Sequence, residues 1–110
     1  MGFGKKSHIL YQIDFGLAKR YLDPKTGRHN ELAYKGFNGT ARYASLSAQM
    51  GMEQSRRDDL EAIAYMLCYF LRNGNLPWKG LKVKRKKERE ELLVTKKQES
   101  TFEILLEGKP

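Results

Sequence analysis

The chain has 110 residues, with 21 lysines and arginines against 13 acidic residues and a formal net charge of +8. That length is the common size of one small domain, and the basic excess favours acidic partners. No run reaches the about eighteen apolar residues a membrane-spanning helix needs, and Met1 is followed by glycine and lysine without the apolar core of a secretory signal. Cys68 is the single cysteine, so no internal disulfide is available, which favours a reducing compartment, cytoplasmic or nuclear. His8 and His29 have no cysteine or histidine at ligand spacing, which argues against structural zinc.

In chain order, Ile9-Leu10-Tyr11-Gln12-Ile13 predicts a short strand across the end of segment 1–13, setting the Asp14 carboxylate at the edge of a cleft. Segment 14–54 lacks sustained periodicity and contains Asp23-Pro24-Lys25-Thr26-Gly27, a turn signal. A loop this long is normally functional or disordered. Ser55 and Asp58 form a Ser-x-x-Asp helix start, with the acid in the first turn where the helix dipole favours negative charge. Asn73-Gly74 supplies the stop, so a helix is expected over 55–73.

Within that helix Ala62 to Leu71 are ten consecutive apolar residues. A helix apolar all round has to be enclosed by protein, and the remaining elements are few. The natural fold is therefore expected to hold more polypeptide than this chain, and the chain by itself to pack loosely or self-associate. Cys68 lies inside the run and reads as a small buried hydrophobe.

Segment 74–110 is basic and ends in a helix. Lys79, Lys82, Lys84, Arg85, Lys86, Lys87 and Arg89 fall within eleven residues, opposed only by Glu88. Three readings stay open: a solvated helical face, a docking surface for acidic or phosphorylated protein segments, and a nuclear-import or nucleic-acid patch. No aromatic residue is interleaved with the run, which weighs against single-stranded nucleic acid. A last helix is predicted over Thr101 to Leu106, with Ser100 and Glu103 as a capping box.

Three stretches stand in the order of protein-kinase motifs: Ile13-Asp14-Phe15-Gly16, Gly39-Thr40-Ala41-Arg42-Tyr43-Ala44-Ser45, and Ser55-Arg56-Arg57-Asp58-Asp59-Leu60-Glu61. Met1-Gly2-Phe3-Gly4-Lys5-Lys6, Gly51-Met52-Glu53-Gln54 and Leu76-Pro77-Trp78-Lys79-Gly80-Leu81-Lys82 extend the match, and Ser45-Leu46-Ser47 stands where most kinases carry Ala-Pro-Glu. With these motifs the chain resembles the casein kinase I family of serine/threonine kinases over almost its whole length. The resemblance implies a mainly α fold with a short β element, a partial large lobe that starts just after the catalytic loop. Segment 14–54 would be its activation and substrate-binding loop and 55–73 its central helix.

The resemblance also implies chemistry. Asp14, with Phe15 and Gly16, would hold the Mg²⁺ that bridges the phosphates of ATP. Thr40 and Asp59 would support the catalytic loop. Arg42, Lys79, Gly80 and Arg89 would form an anion pocket for a phosphate or acidic side chain upstream of the acceptor serine, Arg89 standing where the family has a lysine. The parent reaction would be transfer of the γ-phosphoryl of ATP to serine or threonine near acidic or phosphorylated residues.

A Gly-rich phosphate loop, a strand lysine and a His-Arg-Asp loop with its metal-binding Asn are not in the chain. Gly2-Phe3-Gly4-Lys5-Lys6 lacks the third glycine of a phosphate loop and reads as a turn. Without those groups the chain alone is expected to be inactive. The alternative is a non-catalytic kinase homologue acting as a substrate- or partner-binding module. Asn38, Ser47, Ala62, Ala64 and one extra residue around Arg72-Asn73-Gly74 depart from the family pattern, as in a divergent member or a relaxed paralogue.

Overall fold

A computed structural model describes residues 1–109, and its regular structure is helical: α1 (Leu46–Gln49), α2 (Arg56–Leu71), α3 (Lys86–Glu99) and α4 (Phe102–Leu106), preceded by a 3-10 turn at Gly4–Lys6. The start of α2 is fixed by Asp58, which is buried and uses both carboxylate oxygens. Oδ2 accepts the Ser55 amide at 2.8 Å, and Oδ1 accepts the Ser45 hydroxyl at 2.5 Å. The first bond satisfies an otherwise orphaned N–H at the helix start; the second ties α2 to the N-cap of α1. At the other end Asn73 and Gly74 take left-handed backbone, φ 52° and 79°, and the Gly74 amide closes on the Tyr69 carbonyl at 2.8 Å.

One core lies between α2, α3, α4 and the turn that follows α2. It is made of Tyr65 and Cys68 from α2, Leu76 and Trp78 from the turn, Leu93 from α3 and Leu105 from α4. Tyr65 meets Trp78 edge to face at 5.2 Å and Phe102 at 5.1 Å, geometries that suit the ring quadrupoles. Only one side of α2 enters this core. Leu60, Ile63, Leu67, Phe70 and Leu71 remain exposed, and their spacing of three and four places them along one stripe of the helix. Helix α1 packs against α3, and α4 against α2.

Residues 1–40 contribute no buried side chain. The strand predicted at Ile9–Ile13 does not form. A β ladder needs a second strand to take its amides and carbonyls, and none faces it among the described residues; Ile9 instead closes local turns, its carbonyl accepting the Gly2 amide and its amide donating to the Lys6 carbonyl, each at 3.0 Å. The β contribution is reduced to two isolated bridges, Leu22 with His29 and Tyr34 with Met52. The first encloses the Asp23-Pro24-Lys25-Thr26-Gly27 turn, where the Asp23 carboxylate accepts the Lys25 amide at 2.7 Å. The second holds residues 33–36 against Gly51–Glu53. Gly51 has φ 85°, a left-handed conformation that favours glycine, and a Cβ there would also have to displace the Tyr34 ring.

The C-terminal helix is displaced by one residue from its predicted cap. Ser100 closes α3, and Thr101 is the N-cap of α4, its hydroxyl accepting the Ile104 amide at 3.5 Å. The shift follows from α3 running on to Glu99, which leaves Ser100 as a C-cap.

Candidate anion-binding site

Segment 41–44 crosses the core edge with three of its carbonyls held from below. Trp78 Nε1 donates to the Arg42 carbonyl at 2.8 Å, and Lys97 Nζ donates to the carbonyls of Ala41 at 2.7 Å and Ala44 at 2.6 Å. With the backbone gripped on its inner side, the Arg42 side chain is left exposed at the rim of a cavity of about 760 Å³. Lys79 and Gly80 from the turn after Trp78, and Lys84, Lys86 and Arg89 from the basic run and α3, line the same cavity. Gly80 makes the turn possible with φ 72° and presents no side chain to the opening.

The lining carries Arg42, Lys79, Lys84, Lys86 and Arg89 against a single carboxylate, Glu90, which lies 3.9 Å from Lys86. The guanidinium groups of Arg42 and Arg89 make no ion pair or side-chain hydrogen bond among the described residues. Two forks with unspent donors beside one open cavity suit a phosphate or carboxylate, which either can bind in bidentate fashion. The Lys79 ammonium donates one of its three N–H groups to the Gly74 carbonyl at 2.7 Å, which tethers it beside the cavity and leaves two donors unspent. The basic run divides: Lys84, Lys86 and Arg89 line the cavity, whereas Lys82, Arg85 and Lys87 stand outside that lining and are exposed.

The four residues Arg42, Lys79, Gly80 and Arg89 are therefore brought together, and Thr40 joins them in the lining. Asp14, Phe15, Gly16 and Asp59 are not part of it. Asp14 is exposed, adopts a left-handed φ of 64°, and accepts the Gly16 amide at 3.2 Å. Among the described residues no cluster of three or more His, Cys, Asp or Glu side chains stands ready for a metal. A single exposed carboxylate is an incomplete donor set for Mg²⁺ with a nucleotide, so the residues present do not by themselves fit that group. Asp59 lies exposed at the first turn of α2, while its neighbour Asp58 is the buried carboxylate.

Sequence reasoning missed Lys97. It is 2 % exposed, and its ammonium sits 5.1 Å from the Tyr65 ring and 5.4 Å from the Trp78 ring, with Gln49 Oε1 as a third acceptor at 3.1 Å. Burial pushes its pKa down to about 8, with Glu61 acting in the opposite direction. Its signal was the helical spacing: Leu93, Lys97 and Ser100 are four and three apart and are all buried. Tyr65, whose hydroxyl donates to Glu61 Oε1 at 3.0 Å, is held well above the ordinary tyrosine range by burial and by that carboxylate. Burial likewise raises the Cys68 thiol, which marks it as an unreactive core residue. Among the described residues no helix is long and apolar enough to cross a membrane. No protein-family model matches the sequence.

Proposed function

We propose that this chain is a segment of the large lobe of a casein kinase I-like serine/threonine kinase, and that its own activity is to bind acidic or phosphorylated protein segments. The observation that carries this reading is the convergence of Arg42, Lys79, Gly80 and Arg89 on one cavity. Arg42 and Arg89 are separated in sequence by α1, α2 and most of the basic run. Their meeting is a product of tertiary structure and is unrelated to local basic composition. Phosphoryl transfer, with ATP and Mg²⁺, belongs to the parent enzyme, in which Asp14 would be the metal ligand and Thr40 and Asp59 would brace the catalytic loop. The exposed apolar stripe of α2 supports the reading of a partial lobe, because a central helix would bury it against further polypeptide.

The non-catalytic module is the second reading, favoured by the contrast between five cations lining one cavity and an Asp14 that stands exposed outside it. Both readings predict that the chain alone transfers no phosphate from labelled ATP to a casein-like peptide above an Asp14→Ala control. They also predict that a labelled phosphoserine peptide binds more tightly than its unphosphorylated twin, by fluorescence anisotropy. Equal affinity for the two peptides removes the anion-reading function, and transfer above the control removes the claim of inactivity.

A further inference from the structure

Among the described residues Lys97 is a buried cation without a carboxylate partner, and the fold gives it three oxygen acceptors instead. An ammonium has three donors. Two of them go to carbonyls on either side of Arg42 and the third to Gln49 on α1, while Trp78, whose ring flanks the ammonium, takes the carbonyl of Arg42 itself. Lys97 and Gln49 are not among the residues that line the cavity. Their effect is on shape: three anchored carbonyls fix the backbone from which Arg42 projects, and Trp78 immediately precedes Lys79 and Gly80 of the opposite wall.

We infer that Lys97 is the positioning residue of the anion site, a buried latch whose ammonium holds segment 41–44 so that Arg42 faces Arg89 across the cavity. The inference rests on the anion-binding reading above and adds to it the residue that sets the pocket's geometry. Deprotonation leaves two N–H donors and a lone pair among three oxygen acceptors, so one carbonyl loses its partner and faces repulsion. The latch therefore loosens as Lys97 gives up its proton. The titratable groups facing it are Glu61 and Tyr65 from α2; the segment it holds contributes Arg42 and Tyr43, α1 contributes the neutral Gln49, and α4 contributes Phe102. Glu61 is the one whose charge acts on it, favouring the ammonium.

The test uses the full chain, a fluorescein-labelled phosphoserine peptide and three proteins: wild type, Lys97→Met and Gln49→Glu. Wild type is expected to lose about tenfold in affinity between about pH 7 and about pH 9.5, a range in which arginines and the phosphate keep their charges. Trp78, the single tryptophan, reports the same step by emission because its ring lies 5.4 Å from the ammonium. Lys97→Met is expected to bind weakly at every pH with no step in affinity or emission. Gln49→Glu places a carboxylate against the ammonium and is expected to move both steps to higher pH.

A folded Lys97→Met that binds like wild type overturns the latch. If that variant fails to fold, Gln49→Glu decides alone, and steps unchanged from wild type overturn the proposal. If wild type binds no phosphopeptide at any pH, the anion-binding reading has failed. The latch is then read from Trp78 emission and amide exchange at Arg42–Ala44: a shared step supports it, and its absence overturns it.

Discussion

Phe15 and Leu105 are both large apolar side chains, yet Phe15 is 65 % exposed and Leu105 is fully buried. Around Phe15, residues 1–20 make turns with one another and bury nothing. Around Leu105, α2, α3, α4 and the Trp78 turn supply walls on several sides, and Arg72 from the end of α2 donates to the Leu105 carbonyl at 3.0 Å. The difference is one of partners, since Ile9, Leu10, Ile13 and Leu17 are as apolar as the residues of the core. Burial follows where neighbouring elements offer complementary surface, and a segment without them stays solvated whatever its composition. The stretches that carry the family resemblance divide the same way. The Asp14 motif sits on the solvated segment, and the Arg42 site is built on the core.

The largest expected effect separates the two regions by stability. Leu105→Ala should cost about 2–5 kcal/mol, the range for emptying a fully buried leucine site, whereas Phe15→Ala should stay within about 0.5 kcal/mol. Urea unfolding followed by Trp78 emission checks both. A comparable loss for Phe15→Ala would mean that residues 1–20 dock on the core in solution.

A second expectation concerns pH and belongs to the packed region alone. Lys97 has its folded pKa lowered from the ordinary lysine value to about 8. Between that value and the unfolded one, the unfolded chain keeps a proton that the folded chain has lost, so stability rises with pH across this window. This global gain coexists with the local loosening of segment 41–44, because relief of the buried charge outweighs the lost hydrogen bond; it amounts to about 3 kcal/mol for a shift of this size and should vanish in Lys97→Met. Stability that falls or stays level from about pH 8 to about pH 10 would contradict the buried position of the ammonium.

The smallest effect concerns the tie between the regions. Lys19 donates to Glu53 at 2.6 Å and holds the Glu53 carboxyl below its usual range. A carboxylate with a depressed folded pKa contributes stability above its unfolded pKa and loses it as pH falls through the folded one. Protection factors for amide exchange around residues 19–36, corrected for the intrinsic pH dependence of exchange, should therefore fall on acidification before those of the core amides respond. Glu53→Gln should speed the same exchange at neutral pH. Unchanged exchange there in Glu53→Gln would show that the backbone bonds of residues 33–36 to Gly51 and Glu53 carry the tie unaided.

The parts of this molecule that were legible in the sequence are those set by local rules. The start and stop of α2 follow from Ser55, Asp58, Asn73 and Gly74, and the Asp23 turn follows from its proline and glycine. The expected strand at Ile9–Ile13 failed because a strand depends on a partner, which no local pattern reports. Local pattern in the basic run does not single out Lys79 and Arg89, which only the family resemblance named, since which cations share a cavity depends on how α3 lies against segment 41–44. Lys97 was hidden for a similar reason. Lysine is rarely buried, and only its register with Leu93 marks it as inward-facing. Asp58 and Asp59 are adjacent acids in the first turn of α2, and which one turns inward depends on Ser45 lying beside it.

The central claim is that Arg42 and Arg89 serve one anion, and a double-mutant cycle on phosphoserine-peptide affinity tests it directly. Arg42→Ala, Arg89→Ala and the double variant are titrated with the phosphorylated peptide by calorimetry. If the two guanidinium groups share the phosphate, the single losses are not additive, and the coupling is about 1 kcal/mol or more. Losses that add within about 0.3–0.5 kcal/mol would show two independent surface cations and contradict the account.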